Sequence, residues 1–383
     1  MRDLLYPLKS LKEGHWFKLI CGASYQHLPA VRNLTLAYTL AGADCIDVAA
    51  DPAVIAAAKE AIEKAGELAE LAKERGYGIC RRPWLMVSLN DGEDPHFRKA
   101  ELNPTACPRD CPRPCESICP ASAIVFGGRG DGFSGVIEQR CYGCGRCVPV
   151  CPIKQVVTRS YVCTPAVVAP VILAEGADAI EIHTQVGHLE DFKRLWGALA
   201  PQIDHLKLLA ISCPDGKDLI EYLWALYELI SPLPCPLIWQ TDGRPMSGDI
   251  GDGTTRAAIK LGEKVLSAKL PGYVQIAGGT NGYTVAKLEA CGLLNRARES
   301  GKREEFQLLS LSSYSPSYIA GIAYGSYARV LLAPVLERLE LFASSRQQPC
   351  RLEEFPTLLW EAVRLAYSLV SQLKMPIELQ QTT

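Results

Sequence analysis

The sequence predicts an α/β fold, a (β/α)8 barrel of the TIM type, broken after its third strand by a cysteine-rich insert. Three observations carry this. Eight short apolar runs of strand character recur along the chain, most of them followed by a helical stretch. Between the third run and the next helical stretch, Asn90 to Thr164, lie over seventy residues, where a βα connection normally needs 2–6. Eight of the 16 cysteines fall between Cys107 and Cys151.

The runs begin at Phe17 (FKLICGAS), Cys45 (CIDVAA), Trp84 (WLMVSLN), Ala179 (AIEIHTQ), His205 (HLKLLAISC), Pro236 (PLIWQTDG), Tyr273 (YVQIAGGT) and Tyr318 (YIAGIAYG). Near-continuous apolarity marks strands covered on both faces, as in a parallel sheet under helices. Asp51 to Arg75 is rich in Ala and Glu, with Asp51 placed to cap and Pro52 in the first turn. LEDFKRLWGALA, KDLIEYLWALYELI and GTTRAAIKLGEKVL repeat the amphipathic helical pattern. TPAVVAPVILAEGA supplies the third helix, and EEFPTLLWEAVRLAYSLVSQLK a last helix packed on the barrel or docked to a partner. A doubly wound open sheet is the competing architecture. The expected organisation is barrel over 1–103, insert over 104–160, barrel over 161–345, and a C-terminal helix and tail over 346–383.

The chain has 383 residues, 48% hydrophobic and 21% charged, with a formal net charge of −2. That balance provides no basic field for nucleic acid or anionic lipid. No apolar run reaches the roughly 18 residues of a membrane span. The N-terminal stretch is interrupted by charge and proline, unlike a signal peptide. The expectation is a soluble, cytoplasmic protein, where clustered thiols favour metal ligation over disulfides.

CYGCGRCVPVCP sets Cys141, Cys144, Cys147 and Cys151 at x2, x2, x3 spacing before Pro152, the bacterial ferredoxin run for a 4Fe–4S cluster. Gly143 and Gly145 give the loop freedom to wrap a cube and turn N–H groups toward sulfur. In two-cluster ferredoxins the fourth cysteine of such a run serves the other cluster. CPRDCPRPCESICP supplies the partner group. The reading assigns Cys107, Cys111, Cys115 and Cys151 to one cluster, and Cys119, Cys141, Cys144 and Cys147 to the second. The two groups form an internal repeat, joined by AIVFGGRGDGFSGVIEQ, which reads as two short strands around a Gly-rich turn. The x3 spacing of the first group departs from the ferredoxin pattern. It leaves open the ligand partition, Cys163 as a substitute ligand, a single cluster, or a zinc site.

Barrel chemistry occurs at the carboxyl ends of the strands, and the insert leaves from that face. QIAGGTNGYT and GIAYGSYAR close the seventh and eighth strands, where barrels commonly bind phosphate. Gly278, Gly279, Asn281, Gly325 and Ser326 are the candidate cradle; tight turns are the competing explanation. This pair resembles the phosphate end of flavin-dependent barrel oxidoreductases such as dihydroorotate dehydrogenase and dihydrouridine synthase, a resemblance that implies FMN. Asp47, Ser88, His183, Lys207 and Asp242 are candidate mouth residues, with Gln240 in the same class. Alternation puts Glu181 and His183 on one face, pointing inward. A buried ion pair is the competing role for Lys207. The polar, glycine-rich loop Thr241 to Thr255 reads as a mouth loop or partner contact.

EGHWFKLICGASYQHLPAVRNLTLAYTLAGADCIDVAADPAV, CPRDCPRPCESICP and CYGCGRCVPVCP together resemble the cyanobacterial light-dependent period proteins, iron–sulfur proteins of the circadian clock input. The resemblance implies two 4Fe–4S clusters, redox sensing of photosynthetic electron transport, and association with an input histidine kinase and core clock proteins. A redox partner, ferredoxin or quinone-linked, is implied by the clusters. The residues alone support either a redox sensor or a flavin-dependent oxidoreductase fed by the clusters.

Overall fold

Eight parallel strands close on one another in the computed structural model, which describes residues 6–21, 28–77, 82–92, 98–108, 110–119, 123–127, 132–138, 140–141, 147–160, 175–244, 251–295, 315–346 and 350–374. Helix α1 (Tyr6–Glu13) precedes β1 (Trp16–Ile20) and α2 (Leu28–Leu40). Then come β2 (Cys45–Ala49), α3 (Pro52–Glu67), α4 (Ala69–Glu74) and β3 (Trp84–Asn90). The insert holds β4 (Arg98–Glu101), α5 (Pro114–Ser117), β5 (Ile124–Val125), β6 (Gly135–Val136), α6 (Cys147–Val150) and β7 (Val157–Ser160). The barrel resumes with β8 (Ala179–His183), α7 (Leu189–Leu199), β9 (Leu208–Pro214), α8 (Leu219–Ile230), β10 (Leu237–Asp242) and α9 (Thr255–Ser267). It ends with β11 (Tyr273–Ala277), α10 (Thr284–Ala290), β12 (Ile319–Tyr324), α11 (Ser326–Arg346) and α12 (Pro356–Lys374). The strand order is β1-β12-β11-β10-β9-β8-β3-β2, with β1 pairing both β12 and β2. All eight sequence-predicted runs are barrel strands.

The helical prediction for 51–75 divides at Leu68, and Asp51 caps α3 by accepting the Ala53 N–H at 2.8 Å. The run at His205 becomes strand only from Leu208, because residues 200–205 form a 3-10 turn. The third predicted helix lies outside the described residues except for 175–177.

One boundary moves. Strand β4 pairs with β7 in an antiparallel two-stranded ribbon and with no barrel strand. The chain has therefore left the barrel by Arg98, ahead of the expected 104. The ribbon brings the start and finish of the cysteine-rich segment side by side, and β5 pairs with β6 as the expected short hairpin.

The amino end of the barrel is apolar. Trp16, Trp84, Met86, Leu208, Ile238 and Tyr273 fill it, and Leu11 of α1 closes it from below. On the outside, α2 is buried along nearly its whole length, Arg32 and Asn33 included. It can be so because α12 covers the face turned away from the barrel, and the Arg32 guanidinium donates to both carboxylate oxygens of Glu353, at 2.9 and 2.5 Å. The final helix thus packs on the barrel, and its Lys374 reaches Asp44 at 2.5 Å.

Gly321 pairs with Trp16 where β12 meets β1, and a Cβ there would stand 2.6 Å from the Trp16 carbonyl oxygen. Backbone cannot yield as a flexible side chain does. Gly321→Ala is expected to cost about 1–3 kcal/mol, read as a lower urea midpoint; an unchanged midpoint contradicts this account of the closure.

Candidate functional site

Above the apolar layer the barrel interior turns polar. The Lys18 ammonium, fully buried, donates to Asp47 Oδ2 at 3.0 Å, to Gln240 Oε1 at 2.9 Å and to Glu181 Oε2. Gln240 Nε2 donates to Glu181 Oε1 at 2.8 Å, and Ser88 Oγ to Asp47 Oδ1 at 2.6 Å. Below, Gln275 Nε2 donates to Gln240 Oε1 at 2.5 Å, and Trp16 Nε1 to Gln275 Oε1 at 2.7 Å. Above, His183 Nε2 meets Glu181 Oε1 at 3.1 Å, and Ser212 Oγ donates to Asp242 Oδ2 at 2.9 Å. Strands β1, β2, β3, β8, β9, β10 and β11 each contribute, because period-2 alternation aims every second side chain inward.

Burial alone would push Lys18 to the neutral form; Asp47 and Glu181 outweigh it and raise its pKa above the ordinary value. Glu181 is raised by burial, then lowered to about 2 by Lys18 and His183. Burial raises Asp47 and Asp242, only partly offset by Lys18 and His183 respectively. Burial lowers His183, and its bond and charge contact with Glu181 more than reverse this, to about 9. An imidazolium at the mouth, 28% exposed, thus completes a nearly balanced set of charges.

The structure joins Asp47, Ser88, His183 and Asp242 in one network. Lys207 is a correction. It precedes β9 at the amino end of the barrel and pairs there with Asp178 at 2.5 Å, opposite the mouth. Lys18 and Gln275 were missed. The signal was a lone lysine inside the otherwise apolar WFKLI, at the alternation phase of inward Trp16.

Three of the five cradle residues, Gly278, Gly279 and Asn281, are engaged with neighbouring loops. A Cβ on Gly278 would stand 2.8 Å from Arg244 N, and one on Gly279 2.9 Å from Thr254 O. Both glycines are at positive φ. Arg244 N–H donates to the Gly278 carbonyl, and Thr254 Oγ1 to that of Gly279. Asn281 is buried, donating to Gly251 O and accepting from Tyr283 N–H. Arg329 donates to Ser326 Oγ at 3.0 Å beside Gly325. Gly278 and Gly279 thus serve close loop-to-loop packing.

The insert has its own small core, in which Cys115, Cys141, Cys147 and Cys151 pack with Ala100, Ala123, Ile124 and Val156, and Cys119 lies against it. Cys115 and Cys119, like Cys147 and Cys151, are one helical turn apart, and α5 packs on α6. Burial raises the Cys107 thiol, and facing Cys111 and Cys151 raise it further; Cys115 is raised by burial, with Cys151 and Cys107 adding to it. Cys115 from the first half of the repeat thus shares one small core with Cys141, Cys147 and Cys151 from the second. Backbone N–H groups point at sulfur: Ala100 at Cys141, Ala123 at Cys119 and Gln155 at Cys151, each at 3.2 Å. Burial alone would raise Cys151, but the N–H groups around residues 153–156 outweigh it and lower its pKa toward thiolate. The described cysteines of both groups are free of disulfides. Clustered thiols supplied with backbone donors are the kind of donor set an iron–sulfur cluster uses. Cys144, Gly143, Gly145 and Cys163 lie outside the described residues.

The insert is tied to the mouth. Lys99 of β4 reaches the α3 cap Asp51 at 3.3 Å, and the Asp91 N–H after β3 donates to the His183 carbonyl.

These features define an iron–sulfur protein built on a closed (β/α)8 barrel. Residues 107–162 match the family model described as the LdpA Fe-S cluster-binding domain, and residues 171–372 that of the Light dependent period A C-terminal domain. A curated relative, "Light dependent period A" of Synechococcus elongatus, is 48% identical over 372 residues, covering 97% of this chain and 95% of the relative. The chain belongs to the light dependent period A family. Among solved structures, (S)-3-O-geranylgeranylglyceryl phosphate synthase from Thermoplasma acidophilum aligns with a TM-score of 0.31 at 11% identity, covering 97% of this chain and 98% of that one. Among the described residues, no helix is long and apolar enough to cross a membrane.

Two outcomes follow from the interior network. Lys18→Met removes the cation between two buried carboxylates and is expected to destabilise by about 3–5 kcal/mol, measured by urea unfolding; a neutral result would mean those carboxylates are already protonated. The raised His183 contributes stability that is fully present below its ordinary 6.5 and is lost as pH rises through about 9. Solvent at the ring reduces this to about 1–3 kcal/mol. Between pH 6.5 and 9.5 the wild type should lose that stability and His183→Asn should not; parallel curves would refute it.

Proposed function

We propose that this chain is a redox sensor that holds two 4Fe–4S clusters and relays the state of cellular or photosynthetic electron transport to circadian timing. The observation that carries the reading is the packing of α5 on α6, which brings Cys115 of the first half of the repeat into one small core with Cys141, Cys147 and Cys151 of the second. In two-cluster ferredoxins the last cysteine of each run crosses to the other cluster. Cys107, Cys111, Cys115 and Cys151 would hold one cluster, and Cys119, Cys141, Cys144 and Cys147 the second. Such clusters store and release single electrons. The chain's own part is to fix the thiolates on short helical turns, to aim the N–H groups of Ala100, Ala123 and Gln155 at them, and to keep most of them out of water. The division of labour is a cluster lobe over 104–160, extended back to Arg98 by the ribbon, on a barrel that holds it in place.

A sensing role is favoured over turnover by how the barrel uses its polar groups. The Lys18 donors are taken up by Asp47, Glu181 and Gln240, and Gly278 and Gly279 by loop packing. The relative's printed name supports light-dependent timing as the process served. An input kinase or core clock protein would be the receiver, and a ferredoxin or quinone-linked carrier the electron source.

Anaerobically purified protein is expected to contain about eight irons and eight labile sulfides per chain, from two cubes. Cys107→Ser and Cys151→Ser should each remove the same paramagnetic signal on reduction, and Cys147→Ser the other. If Cys151→Ser instead removes the signal lost in Cys147→Ser, the crossed assignment is wrong; a full complement of zinc in place of iron would end the reading.

A further inference from the structure

Lys99 occupies an unusual place between the two parts of the chain. Its ammonium donates to the Glu138 carbonyl at 2.6 Å and reaches Asp51 Oδ2 at 3.3 Å. Its side chain is 14% exposed and that of Asp51 2%. Glu138 opens the turn that delivers Cys141, whose N–H closes back on the Ile137 carbonyl at 3.1 Å. The next residue along β4, Ala100, donates its N–H to Cys141 Sγ. One residue step therefore separates the amine held by the barrel from the amide that meets a cluster-type thiolate.

The barrel side is equally specific. Asp51 divides its carboxylate, Oδ1 accepting the Ala53 N–H at the start of α3 and Oδ2 facing Lys99. Its backbone carbonyl accepts the Ile55 N–H. Asp51 lies two residues past the end of β2, four residues beyond the interior carboxylate Asp47. A half-buried ion pair of this kind is screened far less by salt than a surface pair.

Resting on the redox-sensing reading above, we propose that Lys99 is the coupling residue through which an electron held beside Cys141 is felt by the first turn of α3. One electron, accepted from an external one-electron carrier, adds one negative charge beside Cys141; no bond forms or breaks and no proton moves at Lys99. The ammonium is then drawn more strongly toward the Glu138–Cys141 turn. Its hold on Asp51 weakens, and Asp51 is left to serve the helix cap alone. A cap carboxylate interacts favourably with the helix N-terminus. Release from a competing cation therefore tightens the first turn of α3 in the reduced state and loosens it on oxidation. Lys99 touches no ligand and acts by position.

The test is hydrogen exchange of the amides of residues 53–55 in the oxidised protein and in the dithionite-reduced protein, both with clusters loaded. In the wild type, exchange should slow about fivefold on reduction, the effect of roughly one capping interaction. Lys99→Met should abolish the difference while iron content is kept, and Lys99→Arg should restore most of it. Asp51→Asn, which keeps a capping oxygen but removes the charge, should abolish it too and serves if Lys99→Met proves unstable. A redox-dependent difference that persists unchanged in Lys99→Met or Asp51→Asn overturns the assignment to Lys99 and leaves the sensor reading intact. If reduction alters exchange nowhere in the wild-type barrel, the sensor reading itself fails, and this inference with it.

Discussion

The buried ammonium of Lys18 is the interaction on which the barrel interior depends. A closed sheet of eight parallel strands must fill its own middle, and here the filling changes character halfway up. Aromatic and aliphatic side chains fill the amino half. Above them Lys18 gathers Asp47, Glu181 and Gln240 from three other strands, and Ser88, Gln275, His183 and Ser212 attach to that set. No member could be buried alone, because an isolated charge in such surroundings neutralises or finds a counter-charge. Charge balance thus specifies the register of the strands as firmly as volume does.

The cysteine-rich lobe answers a different constraint. It is too small to stand on apolar burial, and half of the buried residues in its core are cysteines. Its architecture makes sense as a device for holding thiolates. Two short helices bring cysteines one turn apart to face each other, and three backbone amides turn toward sulfur. The ribbon of β4 and β7 then ties the assembly to the mouth through Lys99.

Much of this was legible from residue order, and the reasons are physical. Buried parallel strands leave long apolar runs, so all eight staves could be read directly, WLMVSLN to the residue. Ferredoxin spacing is set by the size of the cube, so Cys141 to Cys151 stood out as candidate cluster ligands. Asp47, Ser88, His183 and Asp242 stood out as polar residues in apolar strands. Lys207 was misplaced because it sits just outside its strand, and a shift of a few residues exchanges one end of the barrel for the other. Lys18 went unread because a single lysine in a strand normally marks an exposed face; its partners come from distant strands and become visible only once the sheet closes. The glycines after β11 looked like a ligand cradle because a close approach by a neighbouring loop demands the same residue as a close approach by a phosphate.

Because β4 and β7 run antiparallel and adjacent, the barrel meets the whole excursion as a doorway one ribbon wide. The ends of the detour are already together, so its length hardly burdens the closing of the sheet, since the entropy of a loop grows only slowly with its size. Ancestral barrels could therefore have gained, lost or traded such a metal-bearing annex without re-registering a single stave. The same threshold is the narrow passage across which any message from the annex must travel.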